Sequence, residues 1–188
     1  MQESPFIPFP VLETDRLCLR EMRKDDLQDI YDYASKPELT TFLTWEAHRT
    51  LEDTEAFINL LIEQYEKGKG GAWAIVWKEN SRVIGTMDLV WNPKQYSAEL
   101  AYALSLDYWR KGIGTEAAKA VLTFGFEKLK LERIQARCHP DNMASYKLME
   151  KSGMTYEGTL RKSMQRKGNQ EDAKIYSILK DEFKALNI

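Results

Sequence analysis

Two glycines and two basic residues lie close together in the segment 107–117. Gly112 and Gly114 lack a Cβ atom, so the backbone there can approach a ligand closely. Arg110 and Lys111 add two positive charges directly before them. The apolar pattern predicts that a helix begins here, and the free N–H groups and partial positive charge of a helix N-terminus favour phosphate. The residues predicted to bind such a ligand, largely through their backbone, are Arg110, Lys111, Gly112, Ile113, Gly114 and Thr115.

A second group of polar side chains lies on the segment 142–151. On a helix, Asn142, Ser145 and Met149 stack on one face at spacings of three and four residues. Lys151 and another lysine four residues earlier lie on a different face, where they could meet an anionic tail. An extended ligand with amide groups and several phosphates would fit between this helix and the strand that carries a single acid, Glu99. Its phosphates would lie at the glycine loop, and its amides would pair with the strand backbone and Asn142.

The elements that must position these residues follow from hydrophobic periodicity. Glu99 lies on the strand that enters the glycine loop, and an amphipathic helix follows the loop and packs on a sheet. Prolines at positions 5, 8 and 10 predict an extended arm over 1–10. Strands are predicted over 12–21, 72–78, 83–91, 98–106, 132–138, 154–163 and 173–179, and further helices over 27–34, 51–67 and 143–151. The predicted fold class is α+β, one domain over 1–188 with a mixed, mostly antiparallel sheet of about seven strands and helices on both faces.

The composition excludes several classes of function. A chain of 188 residues with a net charge of -2 suits one domain and has no overall attraction to nucleic acid or to an anionic membrane. No apolar run is long enough to span a membrane, and the first residues lack the basic start and apolar run of a signal peptide. Two cysteines without metal-ligand spacing predict reduced thiols in a cytoplasmic protein. Neither histidine has a cysteine or an acid at ligand spacing, so we expect no metal.

Taken together, these segments resemble the GNAT superfamily of N-acetyltransferases, and within it the ribosomal-protein N-terminal acetyltransferases of the RimJ/RimL type. The segments 108–117, 136–145 and 150–154 carry the resemblance, which extends from residue 12 to the last predicted strand. It implies acetyl coenzyme A as co-substrate, with the glycine loop, Asn142 and Lys151 among its contacts. It also implies that the central strands splay apart to admit the pantetheine arm.

Two positions depart from the superfamily pattern. Trp109 stands where Gln or Arg usually begins the glycine loop, as is usual in the Rim-like branch. Met149 replaces a tyrosine that frequently serves as general acid, which excludes a tyrosine proton donor at that position. The resemblance implies that Ser145 is instead the group near the coenzyme thiolate.

Acetyl transfer to an amine requires three kinds of help from the protein. A primary amine attacks only when neutral, although a free α-amine has a pKa of about 8 and a lysine side chain about 10.4. Glu99, directly or through water, is the candidate general base that takes the proton. A strand amide near Ala103 or Leu104 could donate to the oxygen of the tetrahedral intermediate. Ser145 could return a proton to the departing thiolate, directly or by relay.

Each candidate side chain also has a purely structural interpretation. Glu99 could be a solvated charge at a strand edge, and Ser145 could fill a small gap or cap a turn. Asn142 could serve as the N-cap of its helix, and Lys151 could be an ordinary surface lysine. The sequence leaves these alternatives open.

No motif identifies the amine acceptor. A protein N-terminal amine, ribosomal by the resemblance, is the leading hypothesis, and a polyamine or an aminoglycoside is the rival. Acidic pocket walls would favour the cationic small molecule, whereas an open groove that admits a peptide backbone would favour a protein terminus. A third hypothesis is a coenzyme-binding or ribosome-associated module without catalysis. The oligomeric state stays open between a monomer and a homodimer.

Overall fold

Eight strands form one sheet in a computed structural model of the chain, which describes residues 4–186. The strands are β1 (Leu12–Glu13), β2 (Leu17–Arg20), β3 (Trp73–Trp77), β4 (Arg82–Asn92), β5 (Ser97–Leu104), β6 (Arg133–Cys138), β7 (Thr155–Arg166) and β8 (Asn169–Leu179). The helices are α1 (Leu27–Ala34), α2 (Leu51–Glu66), α3 (Ile113–Glu127), α4 (Met143–Lys151) and α5 (Lys180–Ala185). The α+β class predicted from the sequence is confirmed.

The sheet has the order β1-β2-β3-β4-β5-β6-β8-β7. Its neighbouring strands pair antiparallel, apart from β5 and β6, which are parallel. The mixed, mostly antiparallel sheet is therefore confirmed. It has one strand more than the seven predicted because the segment 12–21 divides into β1 and β2. A turn separates them, in which the Leu17 amide donates to the Thr14 hydroxyl at 2.9 Å.

Helices cover both faces of the sheet, as predicted. Alternation along β3 sends Trp73 and Ile75 into one apolar cluster and Ala74 and Val76 into another. The first cluster lies on the side of α3 and α4, and the second on the side of α1 and α2. Among the described residues, the second cluster contains side chains from β3 and β4 but none from β5 to β8. The α1–α2 face therefore has no apolar cover beside β5 and β6, although the segment 39–46 reaches the β7–β8 hairpin, where the Arg166 guanidinium donates to the Thr41 carbonyl at 2.8 Å.

The two parallel strands β5 and β6 separate soon after they meet. Residues 97–99 of β5 pair with residues 133–135 of β6. Beyond this point β5 continues to Leu104 and β6 to Cys138, with no further pairing between them in the described part of the chain. A gap therefore opens toward the loop before α3. This is the splay of the central strands that the resemblance implied.

The structure differs from the sequence predictions at both ends of the described chain. Residues 4–10 do not form a loose extended arm: the Ile7 amide donates to the Ser4 carbonyl in a turn, and Phe6 is only 1% exposed. The part of that arm over 1–3 lies outside the described residues. At the other end, α5 follows β8 directly and buries Phe183 in the core, although the sequence analysis predicted no helix there.

Candidate active site

The predicted phosphate-binding loop lies at the end of the gap between β5 and β6. Gly112 caps helix α3 with φ of 76°, a left-handed conformation that suits glycine. No side chain among residues 4–186 accepts from the first N–H groups of α3, which include those of Ile113, Gly114 and Thr115. The first amide that bonds within the helix is that of Glu116, at 3.0 Å from the Gly112 carbonyl. These N–H groups are therefore free for an anion, and Arg110 and Lys111 are exposed beside them.

Arg16, in the turn just before β2, holds this loop in place. The Arg16 Nε atom donates to Glu116 in α3 at 2.7 Å, and its terminal nitrogen donates to the Lys111 carbonyl at 3.1 Å. The Arg16 amide also donates to Glu116, at 3.0 Å. The sequence analysis did not identify this role for Arg16, because its partners lie about a hundred positions away in the chain.

The end of β5 connects the loop to the sheet. Ala103 and Leu104 pair with Thr86 and Gly85 of β4. The Trp109 indole donates to the Leu104 carbonyl at 2.7 Å, which ties the loop back onto the strand. A Cβ at Gly85 would stand 2.4 Å from the Ala103 carbonyl oxygen, so only glycine permits the two strands to approach this closely here. The hydrogen bond from the Trp109 indole thus helps to position the loop on β5.

Glu99 lies at the last paired position before β5 and β6 separate. One carboxylate oxygen accepts from the Arg137 Nε atom at 2.7 Å, and the other accepts from the side-chain Nε2 of Gln135 at 3.1 Å. The side chain remains 24% exposed. It lies on the α1–α2 face of the sheet, because Ala98 and Leu100 on either side of it belong to the cluster under α3 and α4. Glu99 is therefore a held carboxylate at the closed end of the gap.

Ser145 lies on the opposite face, on α4, which packs against β6, β7 and β8. Its hydroxyl is 2.8 Å from the hydroxyl of Tyr102, which also donates to the Ser145 carbonyl at 3.2 Å. Burial raises the pKa of the Tyr102 phenol, and the hydrogen bond to Ser145 lowers it in part. Tyr102 was not among the predicted site residues, although the sequence carried a signal for it. It stands between Ala101 and Ala103, and strand alternation places its side chain on the face of β5 opposite to that of Glu99.

The remaining predicted residues of α4 have distinct surroundings. The Asn142 side chain accepts from the Ser145 amide at 3.1 Å, so Asn142 is the N-cap of α4. Lys151 is exposed in the last turn, whereas Lys147, four residues earlier, pairs with Glu150 at 2.8 Å. Met149 is fully buried in the core and does not face the gap. Of the predicted helix face, Ser145 is thus the member with a hydrogen bond to β5 in the described part of the chain.

The structure gathers the predicted residues around one strand. Ser145 and Tyr102 lie on the α4 side of β5, Glu99 lies on the other side, and the loop 110–115 follows its end. A ligand arm that entered between β5 and β6 from the loop would thus have hydroxyl groups on one side and a carboxylate on the other. Among residues 4–186, no three His, Cys, Asp or Glu side chains come together as a metal-binding group.

A large cavity lies elsewhere, between α1 and the segment that leads to α3. Its volume is about 880 Å³, and its walls include Tyr33, Trp77, Ser105, Tyr108 and Lys111. Lys111 is its single member from the predicted site residues. Cavity size alone would therefore not have located the strand gap.

Comparison with known proteins gives the family. Residues 16–155 match the family described as Acetyltransferase (GNAT) domain. The chain belongs to the GNAT acetyltransferases. The Bacillus subtilis (strain 168) protein named uncharacterized N-acetyltransferase YoaA is 34% identical to it, over 92% of this chain and 98% of the relative. The resemblance noted in the sequence is confirmed at the level of the superfamily.

Solved structures agree with this assignment of the acetyltransferase. A GNAT-family acetyltransferase from Bacillus anthracis has a TM-score of 0.82 at 27% identity, covering 92% of this chain and 99% of that one. The ribosomal L7/L12 α-N-protein acetyltransferase RimL, solved with coenzyme A, has a TM-score of 0.80 at 19% identity, covering 92% and 99%. The second likeness shows the shared fold alone.

The acetyltransferase is therefore an acetyl-CoA-dependent enzyme that transfers an acetyl group to an amine. The chain's own residues fit this coenzyme: free N–H groups at the start of α3 and two basic side chains suit its phosphates, and the gap between β5 and β6 offers unpaired strand backbone to its amides. When bound, the coenzyme supplies the acetyl group as an activated thioester. No helix among residues 4–186 combines the length and the apolar character that crossing a bilayer requires.

Proposed function

We propose that this acetyltransferase modifies the α-amino group of a protein, with a ribosomal protein as the first candidate and Glu99 as general base. The proposal assigns the chain to the RimJ/RimL-like branch. The substrate class is supported by a relative that the chain matches over about half of its length: the Bacillus subtilis (strain 168) protein named putative ribosomal N-acetyltransferase YdaF is 33% identical over 46% of this chain and 47% of the relative. The proposal places the reaction in the cytoplasm, where the free thiols of Cys18 and Cys138 would stay reduced.

The open α1–α2 face beside β5 is the observation that carries the proposal. Ala101 and Arg137 are exposed on this face, and no cluster of apolar side chains covers it beyond β4 among the described residues. Glu99 lies within it, at the closed end of the strand gap. A protein terminus needs room for several backbone units beside the reacting amine, and an open face provides that room.

Glu99 can take the amine proton without losing its present partners. An ionised carboxylate has about four lone-pair sites, and the Arg137 and Gln135 contacts use one on each oxygen. The remaining sites can accept a hydrogen bond from the amine or from an intervening water. Arg137 and Gln135 would hold the carboxylate in one orientation during this step.

Ser145 and Tyr102 would supply the proton that the coenzyme sulfur gains when the acetyl group leaves. Their hydroxyls are 2.8 Å apart, so a proton can pass from one to the other. The amine nitrogen loses one proton to Glu99, and the sulfur gains one from this pair. No covalent bond to the protein forms, and holding the two reactants together supplies much of the acceleration.

The substrate class is tested by thiol release from acetyl-CoA with a panel of acceptors. We expect peptides with a free N-terminal serine or alanine to react faster than spermidine or kanamycin. Faster reaction of spermidine or kanamycin would contradict the protein-terminus proposal and leave the chemistry intact. No thiol release with any acceptor, with acetyl-CoA still bound, would point to a coenzyme-binding module without catalysis.

The role of Glu99 is tested by the variant Glu99→Gln. We expect kcat at pH 7 to fall by about 10²-fold or more, the usual contribution of a general base, with the KM for acetyl-CoA unchanged. The deficit should shrink toward pH 10, because the amine is then neutral without help from the protein. Steady-state kinetics across pH 6–10 measure this.

The matched control for that variant is Glu132→Gln. Glu132 is also an ion-paired glutamate, bonded to Lys180 at 2.6 Å and 62% exposed, but it lies before β6 and away from the gap. We expect it to behave as the wild type. Equal turnover of Glu99→Gln and wild type at every pH would remove Glu99 from the base role.

A further inference from the structure

Asp88 on β4 lies beside the point where β5 leaves β6. In the antiparallel pair of β4 and β5, Asp88 is opposite Ala101, and Val90 is opposite Glu99. Residues directly opposite each other share a face, and so do residues two apart on one strand. Asp88 and Glu99 are therefore diagonal neighbours on the α1–α2 face, with Cβ atoms about 7 Å apart by ordinary sheet geometry. The sequence analysis gave Asp88 no role.

The Asp88 carboxylate has no cation partner in the described part of the chain. It makes no ion pair and no hydrogen bond with another side chain among residues 4–186, although it is partly buried. Every fully buried side-chain oxygen in that part of the chain has a hydrogen-bond partner, so Asp88 must leave an oxygen open to water. Burial raises the pKa of this carboxyl group, and the neighbouring amide of Leu89 offsets part of the rise. The carboxylate thus lacks the cation that a desolvated anion normally has.

The neighbours of Asp88 leave a place for a cation from outside. Directly opposite Asp88 on β5 is the exposed Ala101, whose methyl group carries no charge. On the helix side, the charge of Asp88 is felt by the Tyr65 hydroxyl, which already donates to the Ala72 carbonyl. Both oxygens of Asp26 already bind Arg20, at 2.7 and 2.8 Å. Arg137 already forms an ion pair with Glu99.

We propose that Asp88 binds the ammonium group of the acceptor and delivers it to Glu99 and the strand gap. The proposal rests on the acceptor face described under Proposed function, but not on the identity of the acceptor. Asp88 stands opposite Ala101 in the pair of β4 and β5. Ala101 lies two residues beyond the last position at which β5 pairs with β6. Asp88 therefore holds the amine, and Glu99 takes its proton, from neighbouring strands on one face.

This arrangement predicts which amines are good acceptors. Two carboxylates that flank the amine attract its positive charge and repel a carboxylate attached to the same carbon atom. A free amino acid carries such a carboxylate, whereas a peptide terminus carries a neutral amide there. Asp88 thereby selects amines without an adjacent negative charge.

Serinamide and free serine form the matched pair of probes, because they differ in that one group. In the wild type we expect a kcat/KM for serinamide at least tenfold above that for serine. Asp88→Asn should raise the KM for serinamide about tenfold or more, which corresponds to about 1.4 kcal/mol of binding, with the KM for acetyl-CoA unchanged. It should also reduce the ratio of kcat/KM for serinamide to kcat/KM for serine. Comparing this ratio between variants cancels the intrinsic difference between the two amines.

Two further variants complete the test. Asp181→Asn changes the same atoms at a side chain that is 94% exposed on α5, and it should leave every constant as in the wild type. Asp88→Glu keeps the charge and should retain most of the serinamide affinity. An unchanged serinamide KM in a folded Asp88→Asn would overturn the proposal. If that variant does not fold, the wild-type enzyme still tests the proposal. Equal kcat/KM values for serinamide and serine in the wild type would also overturn it.

The two proposals fail in different ways. A preference for spermidine over peptides contradicts the protein-terminus proposal and leaves the serinamide result standing. Normal serinamide binding in Asp88→Asn contradicts the role of Asp88 and leaves Glu99 unaffected, because loss of the base lowers kcat rather than raising the acceptor KM.

Discussion

At the scale of single residues, the proposed mechanism gives the Tyr102–Ser145 pair the proton-donor role that Met149 cannot fill. A thioether has no proton to give, and Met149 is buried in the core. The phenol of Tyr102 reaches the Ser145 hydroxyl at 2.8 Å from the neighbouring strand. In that proposal the proton donor is a pair of hydroxyl groups, one from β5 and one from α4.

Removal of one hydroxyl tests this pair. We expect Tyr102→Phe to lower kcat by about 10²-fold, with little change in the KM for acetyl-CoA and a loss of about 1 kcal/mol in stability from the missing hydrogen bond. Ser145→Ala should cause a similar loss, and the double variant should be little worse than either, because groups that act as a unit are not additive. Single-turnover acetyl transfer measures these rates.

The control for Tyr102→Phe is Tyr156→Phe. Tyr156 also bonds a neighbouring hydroxyl, that of Thr159 at 2.8 Å, but it is 48% exposed on β7. It should transfer acetyl groups at the wild-type rate. Additive losses in the Tyr102 and Ser145 double variant would argue against a shared proton path.

At the scale of elements, the loop before α3 depends on a strand that is distant in the chain. Arg16 bonds both Glu116 in the first turn of α3 and the Lys111 carbonyl in the loop. The loop itself contains a left-handed Gly112 and a left-handed Arg110. Such a backbone keeps one conformation only when its surroundings hold it. Arg16 is therefore a positioning residue for the coenzyme loop.

Arg16→Gln should loosen that loop without touching the reacting groups. We expect the KM for acetyl-CoA to rise by roughly tenfold, equivalent to about 1.4 kcal/mol, while the acceptor KM stays within about twofold of the wild type. Isothermal calorimetry with coenzyme A measures the affinity directly. Arg161→Gln, at an exposed arginine of β7, is the control. Equal weakening by both variants would mean that only overall charge matters.

At the scale of the whole molecule, the N-terminal segment is part of the core. Phe6 packs against Trp91 and Phe124 with ring centroids 5.8 Å apart in each case, and against Trp73 at 6.4 Å. These rings come from β3, β4 and α3, so one side chain joins the sheet to the helix that begins at the coenzyme loop. Aromatic side chains of this size dominate the energetics of a core.

Phe6→Ala should therefore destabilise the entire fold. We expect a loss of about 3–5 kcal/mol and a fall in melting temperature of roughly 6–20 °C. Val11→Ala, at a side chain that is 58% exposed, should change the melting temperature by little. Thermal unfolding followed by circular dichroism measures both. A melting temperature close to that of the wild type for Phe6→Ala would show that residues 4–10 are dispensable.

The sequence by itself determined the order of most elements and the position of the glycine loop that is predicted to bind the coenzyme. Strand alternation and helical periodicity are local patterns, so they could be read for β3 to β6 and for α1 to α4. The loop was readable because glycines, basic residues and a helix start are consecutive in the chain. The two exceptions, Phe6 and α5, are short segments whose burial depends on distant partners.

Only the tertiary structure decided what the side chains of the candidate site touch. Glu99 meets Arg137 and Gln135 across a parallel pair of strands, and Tyr102 meets Ser145 across a strand and a helix. Asp88 gained its place through the register of β4 and β5, which fixes the residues opposite each other and which no local pattern specifies. Chemistry at this site depends on contacts between residues far apart in the chain, and such contacts exist only once the sheet has formed.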